Sequence, residues 1–256
     1  MGTALCERSA RASAKSSPQA RSSGRPPPTI WQKLAAELVG TFFATLVPTV
    51  VDILAFAGGD VDYVSRWLAR GFGTVALIYA FSEVSGAHID PAVSLGFALR
   101  RVFEVRTMLA YWLAQFAGAF GAAGLAFALW GSRVALGASH PGPGYSQTVA
   151  FGAEIVATFL LMTVILSAAE HEATVGKNAA IAVGLTVAAC GFFLGPVSGA
   201  SMNPARTLAP QIFGGIANLS WIYLLGPSIG AGLAVAAAQA IFGSPRGDEE
   251  EKAGGK

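Results

Sequence analysis

The chain contains 256 residues, of which 53% are apolar and only 12% are charged, and its formal net charge is +2. Its mean hydropathy is +0.54, whereas about a quarter of the residues in a soluble domain are charged. Three uncharged runs, Thr107–Ser132, Asn178–Ala205 and Thr207–Pro245, each exceed the roughly 20 residues that a membrane-spanning helix needs. The composition therefore excludes an ordinary soluble protein, and the small net charge gives no indication of nucleic acid, so we expect no nucleic-acid partner.

The two ends of the chain differ in composition from the rest. Residues 1–29 are rich in Ser, Ala, Pro and Arg and lack an apolar run, which argues against a cleavable secretory signal. A transit peptide is compatible with this composition, but a disordered basic cytoplasmic tail is the simpler interpretation. Residues 244–256 are short, polar and of mixed charge, and we expect a second disordered cytoplasmic tail there. The membrane domain is therefore predicted over residues 30–243.

Six long apolar segments follow one another through residues 30–243. They are Trp31–Ala55, Val64–Glu83, Thr107–Trp130, Thr148–Ala169, Lys177–Leu194 and Leu219–Ile241. Two shorter segments, Pro91–Leu99 and Pro204–Phe213, would as helices cover only about 15 Å, half of the hydrocarbon core. We therefore predict six transmembrane helices and two half-helices that re-enter the membrane from opposite sides.

Each short segment follows the same eight-residue pattern, which reads SGAHIDPA from Ser85 and SGASMNPA from Ser198. Asp and Asn are good helix N-caps, and Pro is favoured as the first helical residue. Each pattern should therefore end a loop and start a half-helix whose positive dipole end lies at membrane depth. We expect the functional site where these two helix starts meet.

The repetition extends through two halves, residues 30–132 and 146–243. AELVGTF from Ala36 resembles AEIVATF from Ala153. Because each half has three full spans, the halves have opposite orientations, which makes an inverted repeat. Lys and Arg concentrate in the N-terminal tail, in the segment after Pro91–Leu99 and near the C terminus, so both termini are predicted in the cytoplasm.

These features resemble the aquaporin and glycerol-facilitator family, the major intrinsic proteins. The similarity covers about Trp31 to Gly243, and its markers are the two eight-residue patterns, the Ala-Glu pairs at Glu37 and Glu154, and Arg206. It implies an all-α membrane protein with six transmembrane helices, two half-helices that meet at mid-membrane and one pore in each chain. It also implies a homotetramer surrounded by membrane lipid, and we expect it in the plasma membrane.

The resemblance assigns two boxes of pore residues. They are Asp90, Pro91, Ala92, Asn203, Pro204 and Ala205. The Asn203 oxygen can cap its helix while the amide NH₂ donates to a passing solute. Asp90 stands where the family usually has Asn. It caps equally well, but an ionised Asp only accepts hydrogen bonds, whereas a neutral one restores a donor. Two interpretations of Asp90 therefore remain open, a purely structural substitution and an altered selectivity of the pore.

Family spacing also assigns four residues to a selectivity filter, namely Arg70, Gly191, Ala200 and Arg206. The resemblance implies that Arg206 hydrogen-bonds the solute and repels cations. Gly191 and Ala200 are small and would widen the filter. Arg70 replaces the usual aromatic residue, and it either narrows the filter or turns outward toward Asp60 or Asp62.

Three further residues are expected to support the loops. The resemblance implies that the mid-span carboxylates Glu37 and Glu154 accept hydrogen bonds from the re-entrant loops. A proton relay is their alternative role. His88 would line the cytoplasmic half of the pore through its backbone carbonyl, or stabilise its own loop. His140 and His171 fall in loops, so we expect no metal site and no cofactor.

The sequence thus favours a passive channel for water and small uncharged solutes such as glycerol. A proton-coupled or otherwise active transporter is the alternative, because half-helices at an inverted-repeat interface also occur in transporters. We do not expect an enzyme, since the spans carry no nucleophile paired with a base and no group of metal ligands.

Overall fold

The computed structural model describes residues 26–170, 178–245 and 247–255, and within them the regular structure is helical. The membrane domain consists of α1 (Ile30–Phe56), α2 (Tyr63–Ser85), α3 (Pro91–Leu99), α4 (Val105–Trp130), α5 (Gln147–Glu170), α6 (Ala179–Ser198), α7 (Pro204–Phe213) and α8 (Ser220–Phe242). Short 3₁₀ helices lie at Gly131–Gly137 and Ala217–Leu219, and α9 (Gly247–Gly254) follows α8. The prediction of six long helices and two half-helices is confirmed.

The long helices have the surface expected of a membrane protein. Within the described residues, α1, α4, α5, α6 and α8 are long and apolar enough to cross a bilayer. Helix α2 has 23 residues but carries Arg66, Arg70 and Glu83, which makes it less apolar. Large apolar side chains point outward, with Phe72 61% exposed and Leu113 76% exposed. Such an extended apolar exterior suits contact with lipid.

The repeat is visible in the packing of the helices. Helix α1 packs on α4 in the first half, and α5 packs on α8 in the second. A Cβ at Gly118 would collide with the Leu38 carbonyl, and one at Gly230 would collide with the Ile155 carbonyl. Leu38 and Ile155 are equivalent positions of the repeat, so glycine allows the same close backbone approach in each half.

The two halves meet through α2 and α6, again at glycines. A Cβ on Gly71 would lie 2.8 Å from the Gly184 carbonyl oxygen, and a Cβ on Gly184 would lie 2.6 Å from the Gly71 carbonyl oxygen. This reciprocal contact is expected when two elements are related by the pseudo-two-fold axis of an inverted repeat.

Replacing Gly118 by Ala should destabilise the domain, because the new methyl group would meet backbone rather than a side chain that can turn away. Overpacking of this kind costs about 1–3 kcal/mol. The matched control is Gly121→Ala on the same helix, whose Cβ would lie 3.5 Å from the Phe42 ring in an ordinary contact. Thermal unfolding in detergent should give a lower midpoint for Gly118→Ala only. Equal midpoints would contradict the close packing of α1 on α4.

The C-terminal segment differs from the disordered tail expected over residues 244–256. Gly247–Gly254 forms α9, which packs against α2 and α5. The buried Glu249 carboxylate accepts hydrogen bonds from Arg100, at 3.1 Å from Nε and 2.9 Å from Nη2. A segment whose composition is typical of a tail is therefore ordered by a charged partner 149 positions away in the chain.

Two other predictions fall partly outside the described residues. Of the tail expected over residues 1–29, residues 1–25 lie outside the described residues. Lys177, the predicted start of the fifth span, also lies outside them. Thr29, the last residue of that predicted tail, caps α1 in a reciprocal arrangement with Gln32. The ordered helix therefore begins where the apolar sequence begins.

Candidate functional site

The two eight-residue patterns form matching loops before α3 and α7. Left-handed backbone recurs at three equivalent pairs, Gly86 with Gly199, Ala87 with Ala200, and Ile89 with Met202. The four non-glycine members have φ values between 39° and 57°. Such residues rarely adopt positive φ and need surrounding structure to hold them there.

Glu37 supplies that support to the first loop. Its Oε1 accepts from the Ser85 hydroxyl at 2.7 Å and from the His88 backbone N–H at 2.9 Å. Its Oε2 accepts from the Ile89 backbone N–H and from Gln115 Nε2, both at 2.7 Å. A fully buried carboxylate thus satisfies four donors, two of them backbone groups of the left-handed loop.

Glu154 has the same place in the second loop. Its Oε1 accepts from the Ser198 hydroxyl at 2.6 Å and from the Ser201 backbone N–H at 2.9 Å, and its Oε2 accepts from the Met202 N–H at 2.8 Å. Glu154 is also fully buried. This geometry supports a structural role for both carboxylates, because each oxygen is already held by donors of its own loop.

The capping residues of the half-helices behave differently from each other. Asp90 Oδ1 accepts from the Ala92 N–H at 2.8 Å. Asn203 Oδ1 accepts from the Arg206 N–H at 3.0 Å, while its Nδ2 donates to the Ile89 carbonyl at 2.9 Å. The second loop therefore hydrogen-bonds to the first through Asn203, and this contact uses one of the two amide N–H groups.

The other box residues shape the half-helices. Pro91 and Pro204 are the first residues of α3 and α7, where the missing N–H leaves no helical hydrogen bond unmade. Ala92 and Ala205 are 1% and 0% exposed. They pack inside the domain, so the small side chain lets the helix starts approach their neighbours.

A cavity of about 650 Å³ lies along both helix starts. Its wall contains the two caps, Asp90 and Asn203, together with Arg70, Ala200 and Arg206. It also reaches Glu251 and Lys252 of α9. The cavity therefore brings together the capping residue of each box and three of the four predicted filter residues.

Gly191 does not open the filter, and that expectation is wrong. A Cβ at Gly191 would collide with the Trp67 ring, which already fills the space beside it. Trp67 is 1% exposed, and the Tyr63 hydroxyl donates to the Gly191 carbonyl at 3.0 Å. Glycine at this position thus accommodates an indole from α2 rather than widening the passage.

Arg70 lines the cavity but is held at its wall. Its Nη2 bonds to the Asp52 carboxylate, its Nη1 donates to the Gly199 carbonyl at 3.3 Å, and its guanidinium lies 4.0 Å from the Trp67 ring centroid. Asp52 belongs to the last turns of α1.

The expected outward turn of Arg70 toward Asp60 or Asp62 is therefore wrong. Asp62 instead caps α2 outside the membrane, accepting from the Ser65 N–H at 2.8 Å, and this hydrogen bond lowers the pKa of the Asp62 carboxyl. Asp60 lies in the exposed loop between α1 and α2.

Arg206 is buried beside the same carboxylate. Its Nη1 donates to the Ser139 hydroxyl, and its Nη2 lies 3.9 Å from Asp52 Oδ2. Ser139 is fixed in turn by Gln211 Nε2, which donates to the Ser139 carbonyl at 2.7 Å. The guanidinium is thus oriented by the loop between α4 and α5.

His88 lies in the cavity wall and is also fixed by its own loop. Its Nδ1 is 2.9 Å from the Ser94 hydroxyl, and its ring stacks on Phe97 with 4.9 Å between centroids. In the second loop, Ser201 occupies the equivalent place and bonds to the Thr207 hydroxyl. The contact with Ser94 supports the loop-stabilising role, and the lining of the cytoplasmic half of the pore through the His88 backbone carbonyl stays a prediction.

Three residues of the site were not identified from the sequence, although one of them, Asp52, is marked by a clear sequence feature. Asp52 is a single carboxylate within the apolar run VVDIL, and an ionisable residue in a membrane helix marks a functional site by default. Trp67 precedes Arg70 by one helical turn, which places both on one face of α2. Ser139 lies in a loop of ordinary polar composition, and nothing in the sequence distinguishes it.

Known proteins show the same sequence features. The family described as "Major intrinsic protein" matches residues 26–237. Aquaporin NIP1-4 of Oryza sativa subsp. japonica is 40% identical over 204 residues, which cover 79% of this chain and 74% of that protein. Aquaporin NIP2-3 of Zea mays is 38% identical over 205 residues, which cover 80% of this chain and 67% of that protein.

The fold is also found in a solved structure. The X-ray structure of the aquaglyceroporin from Plasmodium falciparum superimposes with a TM-score of 0.76 at 22% sequence identity, covering 84% of this chain and 97% of that one. The family expected from the two boxes is therefore confirmed by sequence, and its fold by structure. The chain belongs to the major intrinsic protein family.

Proposed function

We propose that the chain is a passive pore for water and small uncharged solutes, with one pore in each chain. The observation that carries this proposal is one cavity whose wall contains both half-helix caps, Asp90 and Asn203, together with Arg206. The half-helix N-termini contribute positive potential, and Arg206 adds a full charge, so the passage disfavours cations and protons. The relatives named aquaporins support the same function, and the family consists of channels rather than enzymes.

The box residues would exchange hydrogen bonds with the solute. Among the described contacts, Asn203 donates one N–H to Ile89, and an amide has a second N–H that can donate to a solute oxygen. Asp90 supplies acceptor oxygens on the other half-helix. A small molecule with hydroxyl groups can therefore replace the hydrogen bonds to water that it loses in the pore.

A proton-coupled transporter is the competing function. It would need Glu37 or Glu154 to exchange protons with the passage. Each oxygen of both carboxylates already accepts at least one hydrogen bond of 2.9 Å or less from its own loop. These contacts favour fixed support over proton carriage.

We expect glycerol to pass as well as water. Ala200 offers little bulk in the cavity wall, and Arg70 is held against α1 and Trp67 instead of extending freely into the passage. Proteoliposomes transferred into hyperosmotic sucrose should shrink faster than empty liposomes. In hyperosmotic glycerol they should shrink and then re-swell as glycerol enters. Fast shrinkage without faster re-swelling would show a water-selective pore. If the proteoliposomes showed neither faster shrinkage nor faster re-swelling than empty liposomes, the channel function itself would be contradicted.

We also propose a homotetramer in the plasma membrane with both termini in the cytoplasm. The distribution of Lys and Arg supports this orientation, and the family resemblance supports the tetramer. Protease added to sealed, right-side-out vesicles should leave α9 intact. Cleavage of α9 from outside would reverse the proposed orientation.

A further inference from the structure

Asp52, a residue outside the boxes and outside the four filter positions, contacts three arginines. Its Oδ1 accepts from Arg66, at 2.9 Å from Nε and 2.8 Å from Nη2. Its Oδ2 accepts from Arg70 and lies 3.9 Å from Arg206 Nη2. We call these four residues the Asp52 cluster. One carboxylate with three guanidinium groups leaves this cluster with a net charge of +2.

Three members of the cluster are shielded from solvent, and Arg66 is half-buried. Asp52 is 6%, Arg70 7% and Arg206 5% exposed. A buried guanidinium without an anionic partner is strongly unfavourable, so the carboxylate determines where these cations can lie. Arg70 has the closest contact to Asp52 Oδ2, whereas Arg206 Nη1 donates its hydrogen bond to the Ser139 hydroxyl instead.

Arg70 is held from two sides. Asp52 draws its guanidinium toward α1, and the Trp67 ring lies 4.0 Å from the guanidinium carbon on the α2 side. Trp67 itself is locked against Gly191 and Gly195, where any side chain would collide with it. Arg70 lines the cavity, whereas Asp52 and Trp67 lie behind it. Asp52 therefore acts on the passage through Arg70.

We propose that Asp52 is a positioning residue that sets the solute range of the filter by anchoring Arg70 to the pore wall. The proposal rests on the proposed channel function. With the anchor in place, the guanidinium leaves room for a polyol and presents one face to it. Without the anchor, the Arg66 and Arg206 charges repel Arg70, and its long side chain extends into the passage toward water. Water should still pass around it, whereas a glycerol-sized solute should be hindered.

The test compares water and glycerol permeability in proteoliposomes that contain equal amounts of protein. Asp52→Leu removes the acceptor at similar size, and it should lower the glycerol-to-water permeability ratio by roughly tenfold. Asp60→Leu, in the exposed loop after α1, is the matched control and should keep the wild-type ratio. In an Arg70→Leu background, Asp52→Leu should not change the ratio, because the residue through which it acts is gone.

A second variant separates position from charge. Asp52→Leu with Arg66→Gln restores the net charge of +2 but leaves Arg70 without its anchor, so it should retain the low ratio. A wild-type ratio in this double variant would show that charge alone matters and would overturn the proposal. An equal loss of water and glycerol flux in Asp52→Leu, or an undiminished effect of Asp52→Leu in the Arg70→Leu background, would overturn it too.

The same double variant covers the possibility that Asp52→Leu alone does not fold, because it carries one fewer unpaired cation. Failure of the underlying channel function would be distinguishable from failure of this proposal. In that case the wild type itself would pass neither water nor glycerol faster than empty liposomes do.

Discussion

Glu154→Gln should lower both the thermal stability and the water permeability of the protein. The glutamine NH₂ group would face a backbone N–H of Ser201 or Met202, donors that now lie 2.9 and 2.8 Å from the carboxylate. A hydrogen bond to a charged acceptor contributes about 1.5–3 kcal/mol, and the variant loses at least one while adding donor–donor repulsion. Because the loop is left-handed at Ala200 and Met202, it should relax and distort the passage, with water flux falling by at least about tenfold.

Glu37→Gln should behave alike, since it supports the equivalent loop in the first half. The matched control is Glu104→Gln, an exposed carboxylate at the start of α4 whose side chain makes no capping hydrogen bond. Unfolding midpoints in detergent and shrinkage rates in sucrose provide the measurements. If Glu154→Gln matched Glu104→Gln in both, the carboxylates would not be the supports of the loops.

Asn203→Asp should reduce water flux by about tenfold or more, because it removes the donor to the solute from the second half-helix. It also places a carboxylate oxygen 2.9 Å from the Ile89 carbonyl, where the amide now donates. A second acidic group would join Asp90 in the same cavity wall and weaken the positive potential of the helix starts.

Asn218→Asp, in the exposed 3₁₀ helix Ala217–Leu219, is the chemically matched control for this change. The exchanged variant, Asp90→Asn with Asn203→Asp, restores one amide and one carboxylate and should recover part of the flux. Wild-type permeability and yield in Asn203→Asp would rule out a role for the amide as donor.

Most of the architecture could be predicted from the sequence, because the sequence features that define its helices are local. Uncharged runs set the long helices, and the Asx-Pro pairs set the half-helices at Pro91–Leu99 and Pro204–Phe213, the bounds that the structure has. Cap chemistry acts over two or three residues, so a pattern in the sequence is enough to locate these helix starts.

The arrangement of the residues proposed for the filter was harder to predict from the sequence, because it depends on side chains from different helices. Spacing places Gly191 at a filter position, but no spacing shows that Trp67 of α2 reaches it. Asp52 stands out as an isolated carboxylate, yet its convergence with Arg70 and Arg206 requires α1, α2 and α7 to be packed together.

Helix α9 was missed for the same reason. The segment Gly247–Gly254 is polar and short, and isolated helices of this length are not stable in water. Its order depends on the buried pair between Glu249 and Arg100, and on Lys33, which donates to the Gly254 carbonyl. Local sequence contains neither partner.

The most direct test of the central claim, a passive pore, is the equilibrium distribution of glycerol in proteoliposomes under an imposed pH gradient. The protein should speed glycerol entry relative to empty liposomes, while the final internal and external concentrations should be equal with or without the gradient. Accumulation of glycerol against its concentration gradient, dependent on the pH difference and abolished by Glu37→Gln or Glu154→Gln, would contradict a passive pore and establish proton-coupled transport.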